Sequence, residues 1–418
     1  MNKIHRVLWS RTSGQFIAVA EITKSCGQSS GVSDGSRSAF GSALNALWVL
    51  RPVHSALLMA GLMSIWTPSL AQTPASTQLP IGGQVAAGQA SISQSGSVMA
   101  ITQGSNRAAI NWQSFDVGAQ AKVNIVQPSS SSILLNRIQG ERASQIFGQI
   151  NANGQVVLSN PAGVYFSPTA RVDVGSLVAT THSITDADFM AGKLHFSRNG
   201  ATGRVVNEGS ITAALGGYVA LLAPEVRNSG IVVARMGTVA LAAGEAFEMQ
   251  FNGQGGLANV IVTPATVAAL VENGRAVQAP GGLIILSAQA ANQILGGVVR
   301  NTGSLQADGM TDNGGVIRLS ASSSISSSGS ISADAAPDSA GKGGEVTLIA
   351  DLSNPKSSTE FSGSISARGG DLGGDGGFVD TSGSRLAITQ TARVSTAARR
   401  GRAAHAVLDD VLLPAGCA

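Results

Sequence analysis

Three short motifs in this chain of 418 residues combine residue types that could carry chemistry. Gly31–Gly35 matches G-x-S-x-G, the turn that presents a nucleophilic serine in many hydrolases. His182 and His195 enclose two aspartates and offer the imidazole and carboxylate groups that ligate zinc. Residues 369–377, GGDLGGDGG, share their composition with glycine- and aspartate-rich calcium-binding repeats.

Each of these motifs lacks something that its chemistry requires. The serine pattern lies in a basic N-terminal segment, the two histidines are 13 residues apart, and the glycine–aspartate run has no regular nine-residue period. We interpret the histidines as surface or turn residues and the run 369–377 as a solvated turn. The sequence therefore predicts no catalytic, cofactor-binding or metal-binding residue, and we do not expect an enzyme.

The composition favours strands over helices or disorder. Charged residues make up 12% of the chain, about half of the usual share, which excludes a disordered chain of high charge. Glycine, serine, threonine and β-branched residues dominate where a helical protein would use Leu, Glu and Lys. Outside residues 1–71 there are 21 basic and 22 acidic residues, so a basic surface for nucleic acid is excluded as well.

The N-terminal region has the pattern of a secretory leader. An apolar run of 11 residues at 56–66 follows Arg51 and ends in the small residues of Ser69-Leu70-Ala71. We predict cleavage between Ala71 and Gln72, and the run is too short to give a stable membrane span. The mature chain would hold Cys417 as its one cysteine, so it could not form an internal disulfide.

Two phrases alternate along the chain from about residue 205. Asn/Ser-x-Gly-(x)-Ile/Leu-x-Ala alternates with Gly-Gly-x-Val-x-Leu-x-Ala, whose second glycines lie 29 or 33 residues apart at Gly282, Gly315, Gly344 and Gly377. Large apolar residues alternate with small or polar ones, which is the period of a strand with one buried face. We predict an all-β chain that folds as a right-handed parallel β-helix with an N-terminal cap.

The predicted β-helix sets further expectations. At 20–25 residues per coil and ~4.8 Å per rung, the mature chain would form about fifteen coils in a rod of roughly 70 Å. Small and hydroxyl residues such as Thr347 and Ala220 would face outward, which leaves no cluster of acids and bases for catalysis. The irregular spacing of the repeats leaves a pair of β-sandwiches open as the alternative fold.

Residues 110–189, before the repeats, contain a series of characteristic pieces. These are Trp112-x-x-Phe115-x-Val117-Gly118, Val126-Gln127-Pro128, Leu135-Asn136-Arg137-Ile138, Gln145-Ile146-x-Gly148, Ala152-Asn153-Gly154-x-Val156-x-Leu158 and Asn160-Pro161-Ala162-Gly163-Val164. This segment resembles the two-partner-secretion domain of filamentous haemagglutinins and HMW-type adhesins. The family has Asn-Pro-Asn-Gly-Ile at the last piece, so Ala162 and Val164 depart from it, and the loss of the second Asn could weaken a turn bond.

The leader adds to this resemblance. Residues 1–24 resemble the extended signal-peptide region of large Gram-negative exoproteins, through Met1-Asn2-Lys3-Ile4, Arg6-Val7, Trp9, Gly14, Val19-Ala20-Glu21 and Lys24. The resemblance implies that POTRA domains of a cognate outer-membrane β-barrel transporter recognise the chain in the periplasm. The chain would cross the outer membrane unfolded, fold outside, and act as a secreted or surface-bound adhesin with a host-cell or glycan receptor.

The resemblance also points to candidate residues for secretion. Asn136, Arg137, Asn153, Asn160, Pro161 and Gly163 are the candidates for recognition by the transporter, although a turn that any β-helix needs explains Asn160 and Pro161 as well. We interpret Trp112 and Phe115 as core or cap residues over the first coil, because an open solenoid end pairs with other chains.

The chain divides into four expected regions. These are an extended signal peptide (1–71, with the extension at 1–24 and the signal peptide proper at 51–71), a secretion domain (72–250, with its strongest match at 78–190), a β-helix extension (251–395) and an atypical tail (396–418). A capping helix is expected over 404–413, and a frameshift or truncation would explain the tail. A carbohydrate-active β-helix enzyme and a truncated passenger that retains only the secretion module are the alternative functions.

Overall fold

The computed structural model describes strands His5–Ser10 and Gln15–Ala20, residues 73–291 and 296–404, and strand Ala406–Asp410. The chain divides into two compact units, Met1–Ala71 and Gln72–Ala418. In the first unit, the two strands (β1 and β2) pair antiparallel. The predicted cleavage residues Ala71 and Gln72 lie outside the described residues.

The described residues of the second unit form one short helix, α1 (Asp186–Met190), and a long series of short strands. The strands are β3 (Gln84–Ala87), β4 (Ala90–Ser95), β5 (Val98–Gln103), β6 (Arg107–Trp112), β7 (Lys122–Val126), β8 (Ile133–Ile138), β9 (Ser144–Ile146), β10 (Gln149–Ala152), β11 (Gln155–Ser159), β12 (Val164–Phe166), β13 (Arg171–Val174), β14 (Ser176–Thr180), β15 (His195–Ser197), β16 (Arg204–Asn207), β17 (Ser210–Ala213), β18 (Tyr218–Leu222), β19 (Glu225–Asn228), β20 (Ile231–Ala234), β21 (Thr238–Ala243), β22 (Ala246–Phe251), β23 (Leu257–Thr263), β24 (Ala269–Asn273), β25 (Ala276–Gln278), β26 (Leu283–Ala288), β27 (Gly297–Asn301), β28 (Ser304–Gln306), β29 (Val316–Ala321), β30 (Ser324–Ser327), β31 (Ser330–Ser332), β32 (Glu345–Ala350), β33 (Ser358–Phe361), β34 (Ser364–Ser366), β35 (Phe378–Gly383), β36 (Leu386–Ile388), β37 (Arg393–Ser395) and β38 (Ala406–Asp410).

Most of these strands form three long sheets. Sheet I contains β4, β5, β7, β10, β13, β17, β20, β25, β28, β31, β34 and β37; sheet II contains β3, β6, β8, β11, β14, β18, β21, β26, β29, β32, β35 and β38; sheet III contains β9, β12, β16, β19, β24, β27, β30, β33 and β36. The chain visits the three sheets in turn, and each strand pairs in parallel with the equivalent strand of the next coil, as β11 does with β14 and β18 does with β21. This is the predicted parallel β-helix, and the β-sandwich alternative is wrong.

Inward-facing aliphatic residues form a continuous core along the stack. Strand β32 alternates as the repeat phrase predicts, with Val346 and Leu348 buried and Thr347 partly exposed on the outside. Each buried valine or leucine contributes roughly 1.5–3 kcal/mol. Glycine recurs at the corner before sheet II because the coils approach closely there, and a Cβ on Gly282 would lie 2.0 Å from the carbonyl oxygen of Gly237.

Buried asparagines stack at the turn between sheets III and I. The Nδ2 of Asn207 donates to Oδ1 of Asn228, Asn228 to Asn273 and Asn273 to Asn301, over 2.8, 2.8 and 2.9 Å. Asn301 donates to Oγ of Ser327 at 3.3 Å and ends this ladder. The Asn/Ser-x-Gly phrase therefore has a packing role as well as a turn role, because each amide satisfies a buried acceptor in the next coil.

A cap covers the N-terminal end of the stack. Strand β3 pairs antiparallel with β6 and β4 pairs antiparallel with β5, unlike the parallel pairs that follow. Leu79, Trp112 and Phe115 are buried beneath the cap, and the rings of Trp112 and Phe115 meet edge to face with centroids 5.4 Å apart. The prediction that these two aromatic residues belong to the cap or core is confirmed.

Two coils carry insertions that add a second layer outside sheet II. Paired residues of successive coils are otherwise 20–34 positions apart, but Leu177 pairs with Val219 and Thr238 with Leu283, 42 and 45 positions later. The extra residues form α1, β15 and the hairpin β22–β23, and β15 pairs with β22. Phe189, Phe196 and Phe247 of this layer pack on the outer face of sheet II in a second core.

The second layer corrects two expectations. Ala220 faces this layer and is fully buried, so the prediction that it lies on an exposed outer face is wrong. Among the described residues, the parallel series from β5 to β37 in sheet I and from β6 to β38 in sheet II each have eleven strands, which at ~4.8 Å per rung gives about 50 Å. The expectation of about fifteen coils is wrong because the insertions take residues out of the stack and because the coils after β24 span 26–34 residues instead of 20–25.

The C-terminal end also differs from expectation. Strand β38 pairs in parallel with β35 at Ala406–Asp410, where the sequence was expected to form a capping helix. In-register pairing with an existing sheet stabilises an extended backbone here, so the helix prediction is wrong. Across the described residues, no helix is both long and apolar enough to cross a membrane.

Candidate functional site

Asn160 lies in the turn between β11 and β12 and is fully buried. Its Oδ1 accepts the backbone N–H of Ala162 at 3.0 Å, and its Nδ2 donates to the carbonyl of Arg142 at 2.9 Å and to Oγ of Ser144 at 3.0 Å. The N–H of Gly163 donates to the carbonyl of Asn160 at 2.9 Å and closes the turn. One side chain thus holds its own turn and ties it to the preceding coil.

The other residues of this turn have backbone roles. Pro161 is exposed, and Gly163 has φ of +125°, a conformation that L side chains rarely adopt. The replacement of the family's second asparagine by Ala162 does not remove the bond within the turn, because that bond uses the backbone N–H of Ala162. The weakening that the sequence suggested does not occur at this contact.

Asn136 lies on β8 and is fully buried within the first coils. Its Oδ1 accepts a hydrogen bond from the indole Nε1 of Trp112 at 3.0 Å, and its Nδ2 lies 3.4 Å from the carbonyl oxygen of Val157. Asn136 therefore links β6, the strand directly beneath the cap, to the coil after it. A buried indole N–H normally needs such a partner.

Arg137 is the next residue of β8 and points to the second layer. Its guanidinium donates to the carbonyl of Ile184 at 3.0 Å and pairs with the carboxylate of Asp186 at 2.6 Å, at the N-terminal end of α1. At the other end of α1, Nη1 of Arg107 donates to the carbonyl of Phe189 at 3.0 Å and its guanidinium lies over the Phe189 ring. The two arginines hold both ends of the short helix on the β-helix.

Asn153 lies at the opposite corner, before β11, and is exposed. Its Oδ1 accepts the backbone N–H of Gln127 at 2.7 Å, and its Nδ2 donates to the carbonyl of the same residue at 2.8 Å. This pair of bonds mimics a strand pair and joins two successive turns.

The fold brings five of the six candidate residues together at the C-terminal ends of the neighbouring strands β8 and β11. Asn136 pairs with Leu158 and Arg137 with Ser159, directly before the turn that contains Asn160, Pro161 and Gly163. Asn153 lies at the other end of β11. The side chains of Asn136 and Asn160 are buried, so in the folded protein they cannot contact a partner directly.

His182 and His195 are held in different surroundings. His182 is fully buried under the second layer, with its ring 4.6 Å from that of Phe247 and its Nε2 3.1 Å from the carbonyl of Gly244. Burial lowers the pKa of His182 from 6.5 to about 4. His182 lies in a bend after β14, as the turn alternative predicts, but it is not a surface residue, whereas His195 is exposed.

The glycine–aspartate run at 369–377 forms part of a turn between sheets I and II. Within it, Asp375 accepts the backbone N–H of Arg402 at 2.8 Å, and Asp371 lies 3.5 Å from the guanidinium of Arg399. Among the residues that the structure describes, no group of three or more His, Cys, Asp or Glu side chains could hold a metal ion.

Three residues near the candidate site make contacts that no sequence pattern indicated. Arg107 contacts Phe189, Ser144 accepts from Asn160, and Asp116 accepts the backbone N–H of Gln145 at 2.8 Å. Their partners lie 16 to 82 positions away, and no spacing rule for a single strand or helix reaches that far. An asparagine followed by proline marks only the turn and not what the turn contacts.

Comparison with known families identifies two regions. Residues 76–333 match the TPS secretion domain, and residues 1–50 match the Extended Signal Peptide of Type V secretion system. The first match covers well over half of the chain. The second match lies in the region that the sequence identified as an extended leader.

Two proteins and one solved structure are similar to this chain. The Heme/hemopexin-binding protein of Haemophilus influenzae strain Rd is 32% identical over 250 residues, which cover 58% of this chain and 27% of that protein. A second protein of that name from Haemophilus influenzae is 30% identical over 246 residues, which cover 53% of this chain and 26% of that protein. The chain thus spans about a quarter of these relatives. The crystal structure of the HMW1 secretion domain from Haemophilus influenzae shares the fold, with a TM-score of 0.57 and 22% identity over 77% of this chain and 99% of that one.

Proposed function

The chain belongs to the TPS secretion domain family, and from this premise we propose that its buried motif residues serve export by fixing the first coils, not by touching the transporter. The protein carries an extended signal peptide for Sec-dependent export and is secreted through a cognate outer-membrane transporter. POTRA domains in the periplasm are the part of that transporter that recognises the unfolded chain.

The burial of the motif is the observation that carries this proposal. Asn136 and Asn160 are fully buried, and their side chains bond to Trp112 and to the loop that contains Arg142. A chain that folds coil by coil outside the membrane gains buried surface at each step, which opposes its return through the pore. Turns that fold fast at the first coils would favour this direction.

Membership of this family also supports a proposal for what the protein does after secretion. We propose an adhesin-type exoprotein whose receptor is a host-cell or glycan surface and which has no enzymatic activity. Some charged side chains on the outer face of sheet III are neutralised by each other, as Glu225 is by Arg204 and Arg227. The heme/hemopexin-binding relatives match this chain over about a quarter of their length.

An export assay with Asn160→Ala separates the turn role from a contact role. We expect the variant to appear outside the cell more slowly, while its unfolded form competes with the wild-type chain for the transporter equally well. Asn259→Ala, in an exposed position on β23, is the matched control and should be exported like the wild type. Weaker competition by unfolded Asn160→Ala would show instead that the transporter reads this side chain.

A further inference from the structure

A cleft of about 390 Å³ lies at the N-terminal cap of the second unit. Three segments wall it, namely the chain that follows the predicted cleavage bond, the loop after β6 and the loop after β8. The lining residues are Thr73, Pro74, Ala75, Gln78, Ile81, Gln113, Ser114, Asp116, Gly140, Glu141 and Arg142.

Backbone contacts between the three segments shape the cleft. The N–H of Ile81 donates to the carbonyl of Ser114 at 2.9 Å, and the N–H of Gly118 donates to that of Gln78 at 2.9 Å. A Cβ on Gly140 would lie 2.2 Å from the carbonyl oxygen of Gln113, so only glycine lets these two loops approach so closely. The walls are therefore fixed by the fold and are not free loops.

The buried motif residues support two of these walls from the inside. Asn160 holds the carbonyl of Arg142, and Asn136 holds the indole of Trp112, which directly precedes the wall residue Gln113. Asn136 and Asn160 are buried and cannot contact a partner, but they position the loops after β6 and β8, which can.

The lining combines one partly buried acid with an exposed apolar residue. One oxygen of Asp116 accepts the N–H of Gln145, and burial raises the pKa of this carboxyl group, with the guanidinium of Arg142 as the nearby opposite charge. Glu141 and Arg142 are exposed at the rim, and Ile81 is 50% exposed. A partly desolvated carboxylate next to apolar surface suits an extended peptide with a cationic and an apolar side chain.

We propose that an outward-facing loop of the transporter occupies this cleft, with a Lys or Arg against Asp116 and an apolar side chain against Ile81. The inference rests on the proposed function. The walls come from successive coils, so the cleft exists only after those coils fold, and a chain that crosses unfolded meets the outer mouth of its transporter first. Contact there would hold the folded cap at the exit while the later coils follow.

Photo-crosslinking during export tests the position of this contact. The full chain carries a photoreactive amino acid at Gln113 in the cleft, or at Gln250 on the exposed face of β22 as the control, and is expressed with the intact transporter. We expect crosslinks from Gln113 to outward-facing loops at about ten times the yield from Gln250. Crosslinks from Gln113 to periplasmic domains alone, or none above the control, would overturn the proposal.

Substitutions test the chemistry of the cleft. We expect Asp116→Asn and Ile81→Ser each to slow transporter-dependent export about tenfold, and Asp173→Asn, on an exposed position of β13, to stay within about twofold of the wild type. Urea unfolding of each purified chain checks that it folds. Export of both cleft variants at the wild-type rate would refute the proposed contact at the cleft but not the proposed secretion function. Export of the wild type without the transporter would refute the proposed secretion function itself.

Discussion

The indole Nε1 of Trp112 donates a hydrogen bond to Oδ1 of Asn136 at 3.0 Å, and both side chains are buried. This bond joins β6, the strand directly beneath the cap, to the coil that carries the family's Asn-Arg pair. Trp112 is also the one tryptophan in residues 72–418, so its fluorescence reports the state of the cap without labelling.

Replacement of Asn136 should loosen the cap. In Asn136→Ala the indole N–H loses its buried acceptor, so the free energy of unfolding should fall by about 2–3 kcal/mol. Urea unfolding followed by Trp112 emission measures this change. Asn259→Ala, at an exposed site, should alter stability by less than about 0.5 kcal/mol, and an equal loss in the two variants would refute the role of the bond.

The asparagine ladder should behave as a coupled unit. Asn228→Ala removes the acceptor of Asn207 and the donor to Asn273, both buried, and should lower the free energy of unfolding by about 2–4 kcal/mol. Addition of Asn273→Ala should cost less in the Asn228→Ala background than in the wild-type protein, because the shared bond is already lost. Additive losses in a double-mutant cycle would contradict a ladder.

His182 should make stability depend on pH. Burial lowers its pKa from 6.5 to about 4, so between these values the unfolded chain binds a proton that the folded chain does not. The contribution is present in full above pH 6.5 and is lost as pH falls toward 4, by up to about 1.4 kcal/mol per pH unit.

Urea unfolding at several pH values between 7.5 and 4.5 checks this dependence. The curve should be flatter for His182→Gln than for the wild type, and unchanged for His195→Gln, the exposed control. Burial raises the pKa of Asp116, so this group makes the free energy of unfolding fall as pH rises, opposite to the effect of His182. This contribution is the same in all three proteins. An equal slope in the wild type and His182→Gln would show that another group is responsible.

Loss of either docking arginine should release helix α1. In Arg137→Met or Arg107→Met, the Lys193–Leu194 bond just after α1 should become several times more sensitive to trypsin, because one end of the helix loses its hold on the β-helix. Arg171→Met, at an exposed position of β13, is the control. Gel analysis of timed digests gives the rates, and unchanged cleavage in both docking variants would mean that the second core holds the layer alone.

The sequence could predict the elements that depend on local repetition. Alternation in phrases such as 343–350 identifies strands, and regular glycines such as Gly282 and Gly315 show where coils meet, so the parallel β-helix follows from short-range patterns. The aromatic pair Trp112 and Phe115 was likewise identified as cap or core from its position at the first coil.

Features that depend on pairing between distant insertions could not be predicted. The burial of His182 and Ala220 was not predicted because α1, β15 and the β22–β23 hairpin assemble over sheet II from separate coils. The expected coil number was too high because these insertions leave the stack and because the coils after β24 span 26–34 residues each. Local propensity also misled at Ala406–Asp410, where the sheet provides a partner for an extended chain. The buried contacts of Asn160 are similarly long-range, so the sequence identified the turn but not the residues that it holds.

Transporter-dependent secretion is the most direct test of the export account. The full chain is expressed with and without its cognate outer-membrane transporter, and the medium, cell surface and periplasm are assayed for a species that begins at Gln72. This species should appear outside only when the transporter is present. Retention in the periplasm despite the transporter, or equal release without it, would contradict the account.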